Sequence, residues 1–175
     1  MKILAFAASS SKKSINKKLV TYAVGLLDNV QSEILDLNDY ELPLFSEDKE
    51  QDLGQPQLAQ DFLSKIANCD AIVISFAEHN GSYSAAYKNI FDWCSRINPK
   101  VFQNKSMILL STSPGKGAAS TILKTATTSA PFFAGNVKDS LSIPDFYENF
   151  DAENNSMKNE DINAQLIAVM KKLLS

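Results

Sequence analysis

The stretch from Asp70 to Trp93, DAIVISFAEHNGSYSAAYKNIFDW, decides how the chain is read. Ala71 to Phe76 is an unbroken apolar run rich in β-branched residues, the pattern of a strand buried on both faces of a parallel sheet. It stops at Glu78-His79-Asn80-Gly81-Ser82, a polar loop whose glycine permits a backbone turn. From about Tyr83 the period turns helical, with Ala86, Ile90, Trp93 and Ile97 three or four residues apart. A polar loop between the carboxyl end of a buried strand and the amino end of a helix is where open α/β sheets place their ligands.

Working outward, the same strand–loop–helix unit recurs. Ile3 to Ala8 reads as a buried strand, Ser9 to Ser14 as its loop, and Ile15 to about Leu27 as a helix with Ser14 as N-cap. Glu33 to Leu37 reads as an edge strand, and Asp39 to Gln55 as a surface loop with an apolar anchor at Leu42-Pro43-Leu44-Phe45. Pro56 suits a helix's first turn, and Leu58, Phe62 and Ile66 form that helix's buried stripe. Beyond the Asn98-Pro99 break come a strand at Ser106 to Ser111 and the loop Thr112-Ser113-Pro114-Gly115-Lys116-Gly117. A small-residue helix then runs to about Ser129. Val137 to Ile143 reads as a second edge strand, and Ile162, Leu166, Val169, Met170 and Leu173 mark a closing helix.

Strands alternating with helices specify a three-layer α/β sandwich, a doubly wound parallel sheet with helices on both faces. The expected strand order is the flavodoxin-like 2-1-3-4-5, with the ligand crevice between strands one and three. A length of 175 residues with 45% hydrophobic content suits one domain over residues 1–175. No apolar run approaches the roughly 20 residues of a membrane span, and MKILAFAASS reads as the first strand rather than a signal peptide. A net charge of −3 with mixed signs argues against nucleic acid as a partner. Cys69 and Cys94 imply no disulfide framework and suit a reducing cytoplasm. One histidine excludes multi-histidine metal sites.

The loops carry the chemistry. Ser9, Ser10, Ser11 and Ser14, with Asn16 just inside the helix, gather hydroxyls, an amide and free N–H groups at a helix N-terminus, an arrangement suited to an anion or simply to a capped helix. Lys12 and Lys13 add charge. The loop is neither a Walker A loop nor a dinucleotide fingerprint, since it has no glycine. Asp92 and Lys88, four apart, read as a structural ion pair. Trp93 reads as core, and Cys94 as buried and inert. His79 reads as a pocket-shaping residue or a surface histidine without a task. Tyr83 and Tyr87 are expected to be exposed beside the loop.

Taken together, these motifs resemble the NADPH-dependent FMN reductase family of flavodoxin-like proteins, which includes quinone, chromate and azo reductases. The family's G-S-x-R-x-x-S-x-N reads here Ala8-Ser9-Ser10-Ser11-Lys12-Lys13-Ser14-Ile15-Asn16, and its P-E-Y-N-x-S-x-P-x-x-L-K-N-x-x-D-W reads Ala77 to Trp93. Leu42-Pro43-Leu44-Phe45 and Ser113-Pro114-Gly115-x-Gly117 also match, so the resemblance spans most of the chain. It implies an enzyme in which NADPH or NADH reduces bound FMN, which then reduces a quinone, free flavin or similar small-molecule acceptor, with no catalytic side chain and no metal.

By that resemblance Ser9, Ser11, Ser14, Ile15 and Asn16 lie on the FMN phosphate. Ala77, Glu78, His79, Asn80 and Gly81 lie along the isoalloxazine and ribityl chain, and Ser113 and Gly115 approach the pyrimidine edge. Ala8 stands where members have glycine, Ser11 where they have the phosphate-pairing arginine, His79 where they have tyrosine, and Ala118 where glycine is common. A homodimer or homotetramer in the cytoplasm is the expected state. Two further readings stay open: a flavodoxin-type electron carrier and a cofactor-poor binding module. A receiver domain is excluded, because Ala7-Ala8-Ser9 holds no acidic residue after the first strand.

Overall fold

The computed structural model describes residues 1–174. Five parallel strands form one sheet: β1 (Lys2–Ala8), β2 (Gln31–Leu35), β3 (Ala71–Phe76), β4 (Ser106–Thr112) and β5 (Asn136–Ile143). Their order is β2-β1-β3-β4-β5, the flavodoxin-like order. Side chains alternate across each strand, so each face of the sheet gathers its own core. On one face Leu4, Phe6, Ile72, Ile74, Phe76, Met107 and Leu109 pack under helices α3 (Gln57–Ala67), α4 (Ala85–Ile97) and α5 (Ser120–Ser129). On the other, Ile3, Ala5, Val73, Ile108 and Leu110 pack under α1 (Ile15–Gly25) and α7 (Glu160–Lys171). β3, a central strand apolar except for Ser75, is buried throughout, while β2 and β5 at the edges keep exposed positions.

Several expectations are corrected. The segment 39–55 is not all loop: a 3-10 turn (Leu37–Tyr40) precedes helix α2 (Glu47–Leu53). α2 buries no residue and so shows no apolar stripe. It is held by the Ser46 cap, Glu47, Asp48 and Glu50 in its first turn, and Gly54 at a positive φ of 68° after its end. β2 lies two residues earlier than expected, because Asp36 caps the 3-10 turn and Leu37 enters the core from that turn. In α3 the buried stripe is Ala59, Phe62, Leu63 and Ile66, with Leu58 only half-buried. After β5, a short helix α6 (Phe146–Asn149) and a hairpin of β6 (Phe150–Asp151) and β7 (Ser156–Met157) bring Phe146 and Phe150 into stacking contact beneath α1 and α7. Tyr87 is not exposed: it is 5% accessible, and Tyr83 is half-buried.

Candidate functional site

The register places three loops side by side. Ala8 pairs with Phe76 and Phe76 with Ser111, so the chains leaving β1, β3 and β4 at Ser9, Ala77 and Ser113 start from neighbouring strand ends. Adjacent strands sit about 4.8 Å apart, and the strand order reverses between β1 and β3, which opens the crevice there.

The first loop ends in a helix start with unsatisfied donors. Ser14 caps α1 by accepting from the Lys17 N–H at 3.2 Å, and its own N–H donates to the Ser11 carbonyl at 3.1 Å. The Ser9 hydroxyl accepts from the Ser11 N–H at 3.2 Å. Both hydroxyls therefore act as acceptors toward the backbone and keep their protons for another partner. The N–H groups of Ile15 and Asn16, in the first turn of α1, have no partner among the described residues. Two hydroxyl protons and two amide protons at the positive end of a helix are donors of the kind that suit an anion. Lys12 and Lys13 are exposed beside it, whereas Lys17 is engaged by Asp36. That ammonium, with the Asn38 amides, holds the Asp36 carboxyl down at about 2.

The Asn16 side chain does not face this site. It is 3% exposed, its amide donates to the Thr112 carbonyl at 3.2 Å, and its oxygen accepts from the Ser75 hydroxyl at 2.7 Å and the Thr112 N–H at 3.1 Å. Both Ser75 and Thr112 are on the α1 face of the sheet by strand alternation. In the structure the Asn16 amide braces α1 against β3 and β4. A serine inside the apolar run AIVISF was the signal that a polar partner waits there.

The second loop is a tight turn. His79 and Ser82 exchange backbone hydrogen bonds at 3.0 and 3.1 Å around Asn80 and Gly81, both at positive φ (53° and 74°). His79, Asn80 and Gly81 are exposed, and no atom lies within 4 Å of a Cβ built on Gly81. Ser84 caps α4 and donates to the Ala8 carbonyl at 2.8 Å, tying this loop to the first. Glu78 reaches the third: its carboxylate accepts from the Ile122 N–H at 2.9 Å, capping α5, which has no side-chain cap of its own.

The third loop is bonded to itself and to the chain around the end of β5, where the Asp145 and Phe146 N–H groups donate to the Gly115 and Ser113 carbonyls at 3.2 and 3.1 Å. The Ser113 hydroxyl donates to the Gly115 carbonyl at 3.0 Å, and the Ala118 carbonyl accepts from the Ser111 and Ser142 hydroxyls at 2.8 and 2.7 Å. Ala118 and Ala119 both hold left-handed φ angles (56° and 55°), which costs an alanine roughly 1–2 kcal/mol each. Those two hydroxyls and the Glu78 contact hold the strained turn in place.

The rest of the long motif serves the fold. Asn89 accepts from the Phe45 N–H at 2.8 Å and donates to the Leu42 and Pro43 carbonyls at 3.0 and 3.1 Å. Trp93 donates to the Pro43 carbonyl at 2.8 Å while its ring meets Phe45 edge-on at 5.1 Å. Lys88 pairs with Asp92 at 2.6 Å, as its spacing predicts. Cys94 is fully buried, and burial pushes its thiol up to about 12. Among the described residues no cluster of metal-ligating side chains exists, and no helix is long and apolar enough to cross a membrane.

The profile of the family described as NADPH-dependent FMN reductase matches residues 1–147. An uncharacterized Mycoplasma pneumoniae protein is 28% identical over 155 residues, 86% of this chain and 91% of that one. An NADPH:quinone oxidoreductase of Arabidopsis thaliana is 32% identical over 121 residues, which take in 67% of this chain and 60% of that enzyme. The flavoenzyme FerB of Paracoccus denitrificans, an NAD(P)H:(acceptor) oxidoreductase, shares the fold with a TM-score of 0.78 at 22% identity, over 99% of this chain and 94% of that one.

Proposed function

The chain belongs to the NADPH-dependent FMN reductase family, and from that premise we propose that it is an FMN-dependent NAD(P)H oxidoreductase reducing quinones, free flavin or similar small acceptors. The observation that carries this reading is the donor set at the start of α1. The Ser9 and Ser14 hydroxyl protons and the Ile15 and Asn16 N–H groups have no other partner, and they suit a phosphate monoester. When bound, FMN supplies the two-electron exchange between nicotinamide and acceptor.

The chain's own residues bind and orient. Ser9, Ser11, Ser14, Ile15 and Asn16 hold the phosphate, Asn16 through its main chain while its side chain fixes α1. With serine at position 11 there is no bidentate guanidinium contact, so the grip rests on neutral donors and the helix dipole. Ala77, Glu78, His79, Asn80 and Gly81 run along the ring and ribityl chain, Glu78 by holding its loop to α5. Ser113 and Gly115 meet the pyrimidine edge. Ala77 and Gly81, being small, would leave room beside the ring for a flat partner, and His79 would border that space.

A homodimer or homotetramer in the cytoplasm completes the proposal. The large apolar side chains on the surface, including Phe132 at 82% and Leu44 at 71% exposure, support association. Two free buried cysteines support a reducing compartment. The test is anaerobic mixing of FMN-loaded protein with NADPH and with NADH. Bleaching of the flavin within seconds by either is expected. If neither reduces it, the protein is an electron carrier or a binding module instead.

A further inference from the structure

A cavity of about 220 Å³ lies between α4 and α5, away from the phosphate site. Its walls are mainly aromatic, from Phe76, Tyr83, Tyr87, Phe91, Phe102 and Phe133, and the Lys88–Asp92 ion pair also lines it. The rings brace one another, Phe91 meeting Phe133 edge-on at 4.7 Å and Tyr87 meeting Phe76 edge-on at 5.3 Å. A closed apolar space of about 150 Å³ already admits a benzene ring, so this one has room for a ring with a substituent.

The hydroxyls around the cavity differ in one respect. Ser95 and Thr125 donate to the Asp92 and Thr121 carbonyls, and the Tyr83 hydroxyl pairs with Ser129 at 3.2 Å. The Tyr87 hydroxyl has no hydrogen-bond partner among the described residues, although the residue is only 5% exposed. No fully enclosed side-chain nitrogen or oxygen among the described residues lacks a partner, so the Tyr87 oxygen retains open space beside it, and the cavity it lines supplies that space. Burial pushes the phenol well above its ordinary value, so it stays a neutral donor.

We propose that this cavity binds a flat, one-ring compound carrying a carbonyl oxygen, an aryl ketone or quinone, with the ring held among the aromatic walls and the oxygen accepting from the Tyr87 hydroxyl. The site is independent of the flavin reading. It needs neither FMN nor turnover.

Titration of the full chain with acetophenone, followed by ligand-observed NMR in the presence and absence of FMN, tests it. Saturable binding is expected in both states. Tyr87→Phe should weaken acetophenone roughly fivefold, the worth of one neutral hydrogen bond, and leave toluene, similar in size but without an acceptor, unchanged. Ala126→Trp should abolish both. If that variant does not fold, competition between acetophenone and toluene in the unmodified protein replaces it. Absence of saturation, equal loss of both ligands in Tyr87→Phe, or an unchanged acetophenone affinity there overturns the proposal.

Discussion

Two regions rich in motif residues behave in opposite ways. Where α4 meets the Leu42–Phe45 loop, the side-chain amide of Asn89 and the indole N–H of Trp93 are bonded within the protein. At the start of α1, the Ile15 and Asn16 N–H groups and the Ser9 and Ser14 hydroxyl protons are not. The first region is a clamp, and the second leaves donors free of protein partners. The first N–H groups of a helix have no intrahelical partner, and the proposed function has a phosphate take up those at the start of α1 together with the two hydroxyl protons.

The largest expected effect lies in the clamp. Trp93→Ala removes a fully buried indole and its bond to Pro43, and should cost about 3–5 kcal/mol of stability. The fraction that stays folded should bind FMN as before. A lost FMN affinity at unchanged denaturation midpoint would reverse the assignment of the two regions.

Asn16 breaks the simple division, because its backbone belongs to the crevice and its side chain to a brace. Asn16→Ala leaves the Ser75 hydroxyl and the Thr112 main-chain groups without their partner, for a loss of about 1–3 kcal/mol. Urea unfolding of the FMN-free protein checks this. A variant as stable as the parent in the absence of flavin would return the side chain to the ligand.

In the crevice the signs invert. Ser9→Ala and Ser14→Ala each remove a donor to a charged phosphate, and FMN should bind roughly tenfold more weakly or worse. Ser9→Ala should barely move stability, while Ser14→Ala should also lose about 1 kcal/mol as an N-cap. Fluorescence titration of FMN beside unfolding curves separates the two.

A smaller effect sharpens the boundary between the regions. The Asp36 carboxyl is held at about 2 by Lys17, below its ordinary 3.8. Its contribution is therefore complete above about pH 4 and fades as pH falls toward 2. Asp36→Asn should cost a few tenths to 1 kcal/mol at pH 7, and the difference from the parent should shrink on acidification. A gap that widens instead means Lys17 is not the partner. Smallest of all, His79→Ala should leave stability untouched, since the residue is exposed on a turn closed by its backbone. It should change the Michaelis constants for nucleotide and acceptor more than FMN binding. Steady-state kinetics at fixed FMN saturation reads this out.

Much of the fold was legible because burial writes itself into periodicity. The buried run of β3, the half-polar edges, the Ser14 cap and the Lys88–Asp92 pair are each decided by residues no more than a few positions apart. α2 was missed because a helix that buries nothing has no stripe to read, although Ser46 followed by Glu47 and Asp48 was a capping signal. Tyr87 was misplaced because a tyrosine's polar tip suggests a surface, and only the ring packing against Phe6, Phe76 and Phe91 shows otherwise.

The sequence by itself determined the layer architecture, the strand order and which loops share an edge, since the alternation of buried strands with helices admits few chain paths. Only the tertiary structure decided what each polar side chain does. Asn16 and Thr112 are 96 residues apart, and Phe45 and Asn89 are 44 apart. A hydrogen bond is made by direction and distance in space, and neither is carried by the identity of an asparagine in a motif. The same residue type therefore faces inward as a brace or outward as a ligand according to the strand beside which the fold sets it.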